Sequence, residues 1–190
     1  MSRRSRAELE PLNLALIVVE GKTEALYLKH LKERNSNVEV IVCESENKNP
    51  SKMVDNCIQK MREKDVDTSQ GDIVFCVFDV DNNSVSDLHN AMIIAEEKGI
   101  QLIVSNPRFE IWLLMHFRSV SGLPIDADLE DMLSRHMGCG YSKAEDVWGR
   151  VCKHMGKAMQ ISGATSSKEG LVSPEDYFCC RCSTSMHTLI

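Results

Sequence analysis

The sequence contains no apolar run that approaches the ~20 residues needed to span a membrane. Its basic first stretch, MSRRSRAELEPLN, also lacks the apolar core of a signal peptide. These two absences argue against a transmembrane or exported protein. We therefore expect a cytoplasmic protein with no membrane partner.

Two further absences narrow the class of protein. There is no P-loop pattern, so any ATP hydrolysis linked to the function belongs to another chain. A disulfide framework is also not expected, because four of the eight cysteines, Cys43, Cys57, Cys76 and Cys152, lie inside apolar patterns and are typical of reduced, buried thiols. Cys179 and Cys182 have half of the spacing of a zinc site, with His187 five residues further on, and they form a weak zinc alternative.

The net charge of −6 does not favour binding to nucleic acid. Its distribution is less uniform, since residues 22–34 and 143–157 each contain four basic against two acidic side chains. Such stretches are typical of solvated helix faces, and they can also steer a phosphate backbone.

Four short apolar runs alternate with helical patterns in the first part of the chain. The runs at 14–19, 38–43, 73–78 and 100–104 predict strands. Helices are predicted over 23–34, after Asn49, after Ser84 with Asp87 in a capping-box spacing, and in SNPRFEIWLLMHF, with Pro107 in its first turn. This alternation predicts an α/β domain over 12–118, with a parallel sheet of about four strands covered by helices on both faces.

Residues 119–190 differ in texture and predict a helical cover packed on the first domain. A short helix is expected around Leu129–Leu133. A longer one is expected to start at Ser142, which has capping-box spacing to Glu145, and to reach Met159. Residues 162–176 are expected to form an exposed loop.

Acidic residues follow two of the predicted strands. Glu20 ends the first strand, and Asp79 and Asp81 end the third. Ligands of open α/β sheets bind at the carboxyl ends of the strands, and residues two apart on an extended chain lie ~6.5 Å apart on one side. If the first and third strands are neighbours, three carboxylates meet there, and their repulsion favours a hard cation, Mg²⁺ or Mn²⁺. A turn with a helix cap is the simpler explanation of each motif alone.

Four more residues are candidates for the same site. Glu110 lies in an almost wholly apolar helix start, where it either interacts with the helix dipole or points to the strand ends. Arg108 either binds a phosphate or pairs with an acid. Lys22 and Glu24 follow Glu20 in the same segment, VEGKTE.

The segments IVVEGKTE and FDVD resemble the two signatures of the Toprim fold, which topoisomerases, primases and several nucleases share. Together with SNPRFEIWLLMHF and the terminal STSMHTLI, they resemble the RloB-like family over about residues 14–190. Its members are bacterial and archaeal proteins encoded beside restriction-modification genes or an ABC-type ATPase, and are thought to act in phage defence. Family members tend to have Asn-Pro before the terminal Ser-Thr, where this chain has Arg-Cys.

The resemblance implies an Mg²⁺-dependent nuclease that cleaves phosphodiester bonds in RNA, with tRNA suggested, or in DNA. It implies Glu20 as general acid or base and Asp79 and Asp81 as metal ligands. It also implies a nearby ABC- or AAA-type ATPase as partner, and an oligomer remains open. Three other functions stay open: a receiver-like signalling module with Ser105 at the fourth strand's end, a phosphatase with a nucleophilic Asp-x-Asp, and a non-catalytic partner of the ATPase.

Overall fold

The computed structural model describes residues 13–34, 38–81, 83–124, 127–180 and 182–190, without the side chains of residues 33, 34 and 179. These residues form one sheet of five strands: β1 (Asn13–Val19), β2 (Val38–Glu44), β3 (Ile73–Asp79), β4 (Ile100–Asn106) and β5 (Ser183–Thr184). The strand order is β2–β1–β3–β4–β5, and only β5 pairs antiparallel. The chain is thus an α/β protein with a mostly parallel sheet, extended by one short strand beyond the four that were predicted.

Helices connect and cover these strands. They are α1 (Lys22–Lys29), α2 (Leu31–Arg34), α3 (Pro50–Glu63), α4 (Val85–Glu97), α5 (Glu110–Met115), α6 (Leu129–Met137), α7 (Trp148–Val151), α8 (Met155–Glu169) and α9 (Pro174–Cys179). Short 3-10 turns lie at Thr68–Gln70, Cys152–His154 and Met186–Thr188. Across the described part of the chain, every helix is too short or too polar to cross a membrane.

The sheet separates two hydrophobic cores, and the alternation along each strand assigns side chains to one or the other. Phe75 and Val77 of β3 pack on the face that contains α1, α5, α6 and α8. Val74, Cys76 and Phe78 pack on the opposite face with α3, α4 and α9. Asp79 continues the first series, so its side chain belongs to the face of α1 and α5.

The condition for Glu20 and Asp79 to meet is fulfilled, because β1 and β3 are adjacent in the sheet. Their register places Val19 opposite Val77, and the amide N–H of Glu20 donates to the carbonyl oxygen of Val77 at 3.1 Å. Asp79 lies opposite Ser105 at the last paired position between β3 and β4. The ends of three parallel strands are therefore aligned at one edge of the sheet.

The prediction of a helix starting at Ser142 is wrong. Ala144 has φ 63°, outside the helical region, and its N–H donates to Thr23 Oγ1 at 2.9 Å. The contact with α1 holds residues 141–147 in an irregular loop, and helical structure begins only at Trp148. Ser142 Oγ instead donates to the carbonyl oxygen of Lys143, at 3.3 Å.

The exposed loop predicted for 162–176 is also wrong in its first half, because α8 continues to Glu169. Hydroxyl groups that made this stretch resemble a loop are used internally: Ser162 Oγ donates to Thr184 O at 2.7 Å, and Ser166 Oγ lies 2.7 Å from Tyr177 Oη. Gly170, with φ 68°, ends the helix in the left-handed conformation.

Pro107 lies before α5 and not in its first turn. The helix begins at Glu110, after its N-cap residue Phe109, and the carbonyl oxygen of Pro107 accepts the N–H of Asp81 at 3.0 Å. This contact connects the segment before α5 to the residues that follow β3. Glu110, the first residue of α5, therefore lies at the same edge of the sheet as Asp79.

Candidate active site

A cavity of about 180 Å³ lies at the carboxyl edge of the sheet, where β1 and β3 end. It contains carboxylates and lysines in nearly equal number. The lining consists of Glu20, Gly21, Lys22, Thr23, Glu24, Lys48, Asp79, Phe109, Glu110, Lys143 and Ala144. The cavity therefore brings together four carboxylates and three ammonium groups from five separate segments of the chain.

Glu20 and Asp79 meet directly, as the adjacency of their strands requires. The backbone N–H of Asp79 donates to Glu20 Oε2 at 3.1 Å. Burial raises the pKa of Glu20, although this hydrogen bond and the charge of Lys48 oppose the rise. Burial also raises the pKa of Asp79 well above its usual range, reinforced by the nearby charges of Glu24 and Glu20.

Glu24 is the third carboxylate and lies one turn after Glu20, in the first turn of α1. Its side chain is 7% exposed, and burial raises its pKa to about 7, with the charges of Glu20 and Glu110 adding to the effect. Gly21 makes room for this carboxylate, because a Cβ atom there would lie 3.2 Å from Glu24 Oε2. A side chain at position 21 would shift this carboxylate oxygen by a few tenths of an ångström.

Glu110, the fourth carboxylate, is 3% exposed and lies between two donors. Tyr141 Oη donates to its Oε1 at 3.0 Å, and Arg108 Nε lies 3.8 Å from its Oε2. Arg108 also approaches Glu130 Oε1, at 3.4 Å. Of the two readings of Arg108, the contacts therefore show pairing with acids, and Glu110 faces the strand ends.

Asp81 lies beyond the last residue of β3, and its charge still contributes to the raised pKa values of Glu20 and Asp79. β3 ends at Asp79, and the following residues leave the sheet, with the N–H of Val80 donating to Ser105 O at 2.9 Å. Asp81 is exposed and does not belong to the described lining of the cavity. The alternation rule placed both side chains on one side, but it applies only while the chain stays extended.

Sequence reasoning missed Lys48, Lys143, Thr23 and Tyr141 as site residues. Lys48 lies in the loop before α3, and Lys143 in the loop 141–147, more than 100 residues from Glu20. No local pattern marks them, since tertiary contacts alone bring these loops to the strand ends. A basic surplus around 143–157 was the one signal in the sequence that pointed to Lys143.

The donor atoms of the cavity match Mg²⁺ or Mn²⁺ in their chemistry. Carboxylate oxygens without histidine or cysteine are the donors that these hard cations prefer, and the raised pKa values of Glu20, Glu24 and Asp79 show that the ionised set is unstable by itself. Within the described ranges, however, no group of three or more acidic, histidine or cysteine side chains is arranged to hold a metal ion. The chemistry of the donor set fits a divalent cation, which Glu20, Glu24 and Asp79 would hold.

The zinc alternative at Cys179 and Cys182 falls partly outside the described residues, because the side chain of Cys179 is not described. Cys182 lines a different cavity, of about 440 Å³, together with Cys180. The third candidate ligand, His187, instead uses Nδ1 in a 2.8 Å hydrogen bond with Ser162 Oγ.

Fold and site together define a class of protein. The chain is an α/β protein whose first strand ends in a glutamate and whose neighbouring third strand ends in Asp-x-Asp, which is the arrangement implied by the Toprim resemblance. A family model described as RloB-like protein matches residues 15–190, most of the chain. The chain therefore belongs to the RloB-like family.

Other comparisons add little. A search of curated proteins gave no match. Among solved structures, the chain is similar to a GDP-L-fucose synthetase from Naegleria fowleri bound to NADP, with 14% identity and a TM-score of 0.32. The alignment covers 90% of this chain and 51% of the synthetase, so the chain spans about half of that protein. A likeness of this size bears on neither activity nor ligand.

Proposed function

We propose that this protein is an Mg²⁺-dependent nuclease that cleaves phosphodiester bonds in RNA, with tRNA as one candidate, or in DNA, and that it acts in defence against phage. The observation that carries the proposal is the convergence of Glu20, Glu24, Asp79 and Glu110 in one cavity at the carboxyl edge of a parallel sheet. Membership of the RloB-like family supports the biological setting.

Electrostatics favours a cation in this cavity. Each of Glu20, Glu24 and Asp79 has a raised pKa because burial disfavours its charge, and the carboxylates also repel one another. A divalent cation would remove both penalties at once. Glu20, Asp79 and Glu24 are the residues that would hold it, and when bound it supplies charge stabilisation at the phosphate and an activated water or hydroxyl.

The chain's own side chains supply the remaining functions. In this proposal, Glu20 and Glu24 would take up or release a proton beside the reacting phosphate. Glu110, held by Tyr141 and Arg108, adds negative potential that favours the cation without moving. The lysines at the rim offset the repulsion between an acidic protein and a polyanion.

The contacts of Ser105 favour a nuclease over a receiver-like module. A receiver-like module needs the Ser105 hydroxyl free and close to the bound phosphoryl group. It also needs a lysine after a fifth parallel strand. Ser105 is 1% exposed, and its Oγ lies 2.8 Å from Thr184 Oγ1. The described fifth strand is antiparallel and consists of Ser183 and Thr184.

Calorimetric titration with Mn²⁺ tests the metal site directly. We expect wild type to bind Mn²⁺, and Asp79→Asn and Glu20→Gln each to lose about tenfold or more in affinity, which is the size of loss that even an outer-shell partner of a metal can cause. Asp55→Asn, an exposed aspartate on α3, is the matched control and should bind as wild type does. No binding by wild type, or equal binding by Asp79→Asn, would contradict the proposal.

Cleavage is measured next, on labelled tRNA, single-stranded RNA and duplex DNA. We expect Mg²⁺-dependent product from wild type that Asp79→Asn and Glu20→Gln do not form. The same assay is repeated with the neighbouring ATPase, since the family resemblance implies such a partner. Metal binding without cleavage in either assay would leave a metal-binding interaction protein as the better proposal.

A further inference from the structure

Three lysines line the acidic cavity, and each comes from a different segment. Lys22 lies at the start of α1, Lys48 in the loop before α3, and Lys143 in the loop 141–147. All three are exposed, so none of them is needed to fill the core. An exposed cation beside buried carboxylates is suited to a ligand that carries negative charge itself.

The loop 141–147 holds Lys143 in a fixed place. On one side, Tyr141 Oη donates to Glu110; on the other, the N–H of Ala144 donates to Thr23 Oγ1 at 2.9 Å. Further along, Asp146 Oδ2 lies 2.9 Å from His30 Nε2. Lys143 is thus bracketed by contacts to α5 and α1, the two helices that supply Glu110 and Glu24.

The left-handed backbone at Ala144, with φ 63°, is uncommon for a residue with a side chain. It lies directly after Lys143 and turns the chain so that Ala144 and Lys143 both line the cavity. Strained backbone of this kind persists where surrounding contacts over-determine it, and it clusters at functional sites.

The ammonium group of Lys143 has no strong internal partner among the contacts described. Its Nζ lies 3.7 Å from Glu130 Oε1, and the side chain is 55% exposed. Such an exposed pair contributes little, and Glu130 retains a contact with Arg108. Lys143 also opposes the rise in pKa of both Glu20 and Glu24, so its charge acts inside the cavity.

We propose that Lys143 binds a non-bridging oxygen of the substrate's phosphate at this site, so that the carboxyl-terminal half of the chain supplies part of the substrate-binding surface. This inference rests on the proposed nuclease function for the identity of the substrate, a nucleic acid, for which a short single strand is the probe. Lysine is a compact charge with three donors and a common phosphate ligand. Lys48, whose charge also opposes the rise in the pKa of Glu20, is a second lysine of the same lining.

The test measures binding of a short fluorescein-labelled single-stranded RNA, and of DNA of the same sequence, by anisotropy at several salt concentrations. Ca²⁺ replaces Mg²⁺, since it takes the same oxygen ligands, and a gel confirms that the oligonucleotide stays intact. The proteins are wild type, Lys143→Gln, Lys143→Arg and Lys153→Gln. Lys153 is the matched control, because it is an exposed lysine of the same basic stretch that lies outside the described cavity lining.

We expect Lys143→Gln to bind about tenfold more weakly than wild type, as for loss of one charged hydrogen bond. The slope of log affinity against log salt should fall by about 0.7, as for one lost contact to a single strand. Lys143→Arg should retain most of the affinity, and Lys153→Gln should stay within about twofold of wild type because it loses only a distant charge.

Three outcomes would overturn the inference. Equal losses of oligonucleotide affinity in Lys143→Gln and Lys153→Gln would show that Lys143 acts only through the general electrostatic field and makes no direct phosphate contact. A loss of affinity with an unchanged salt slope would show that Lys143 maintains the conformation of the loop 141–147 and does not contact a phosphate. If the wild-type protein binds neither oligonucleotide, a nucleic acid is not the ligand of this site.

Failure of the inference is distinguishable from failure of the proposed function. Mn²⁺ binding by Lys143→Gln should be as tight as wild type or tighter, because a positive charge leaves the cavity. If Asp79→Asn loses metal and cleavage while Lys143→Gln binds RNA normally, the nuclease stands and the inference is wrong. If Lys143→Gln loses RNA binding but wild type neither binds metal nor cleaves, the phosphate contact stands and the nuclease fails.

Discussion

At the scale of one residue, Glu24 shows how the acidic cavity lowers the stability of the protein without a metal ion. Its pKa is raised from 4.5 to about 7, so the folded state holds this proton more tightly than the unfolded state. Stability therefore falls as pH rises from about 4.5 through about 7, by about 3 kcal/mol for this group alone. In EDTA, we expect Glu24→Gln to be more stable than wild type by about that amount at pH 8, and equal to it at pH 4.

Urea unfolding at both pH values measures this difference. Glu96→Gln, an exposed glutamate on α4, is the control and should change stability little at either pH. Saturating Mn²⁺ at pH 8 should stabilise wild type more than Glu24→Gln, because a ligand that binds only the folded state adds its binding free energy. A Glu24→Gln variant less stable than wild type at pH 8 would show that the ionised carboxylate is not destabilising.

Two capping-box spacings show, at the scale of the element, when a local motif decides structure. Ser84 caps α4: its Oγ accepts the N–H of Asp87 at 3.1 Å and donates to that side chain at 2.7 Å. Ser142 has the same spacing to Glu145 and caps no helix. We expect Ser84→Ala to lower the free energy of unfolding by about 1 kcal/mol, and Ser142→Ala to change it by less than about 0.5 kcal/mol.

Denaturant midpoints of the two variants measure the contrast, and each serves as the other's control. An equal loss in both would mean that Ser142 supports the loop 141–147 more strongly than its hydrogen bond to Lys143 O indicates. The physical difference is competition: the N–H of Asp87, in the first turn of α4, donates to Ser84 itself, whereas the N–H of Ala144 is taken by Thr23.

At the scale of the whole molecule, the two halves of the chain share one core. Val120, Leu133, Val151 and Met155 are buried in the same cluster as Trp112 and the strand residues. The ring centroid of Trp148, in the second half, lies 5.3 Å from that of Tyr27 in the first half. The Trp148 ring also stacks on the ring of His30, with 5.0 Å between the centroids. We therefore expect one cooperative unfolding transition, although the sequence predicted a boundary near residue 118.

The two tryptophans provide a probe in each half. In Trp148→Phe, fluorescence reports Trp112, and in Trp112→Phe it reports Trp148. Within each variant, the fluorescence transition should coincide with the loss of helical circular dichroism, which is the test of two-state behaviour. A separate, earlier Trp148 transition in Trp112→Phe would show that residues 119–190 unfold as a domain of their own.

The sequence by itself determined the α/β sheet and two carboxylates of the site. Apolar runs that lack polar alternation specify buried parallel strands, and once β1 and β3 are neighbours the alignment of parallel strands brings Glu20 to Asp79. The apolar runs are local patterns, and the meeting of Glu20 and Asp79 is the geometric consequence of pairing two of them in parallel. Asp81 marks the limit of the rule, because the pattern did not show that the strand stops at Asp79.

Only the tertiary structure decided the rest of the cavity. Tyr141 meets Glu110 across 31 positions, and Ala144 meets Thr23 across 121. Periodicity and propensity describe each segment alone, whereas these contacts depend on how the second half packs on α1 and α5. Lys143 therefore reaches the carboxylates through packing, and no motif in the sequence marks it.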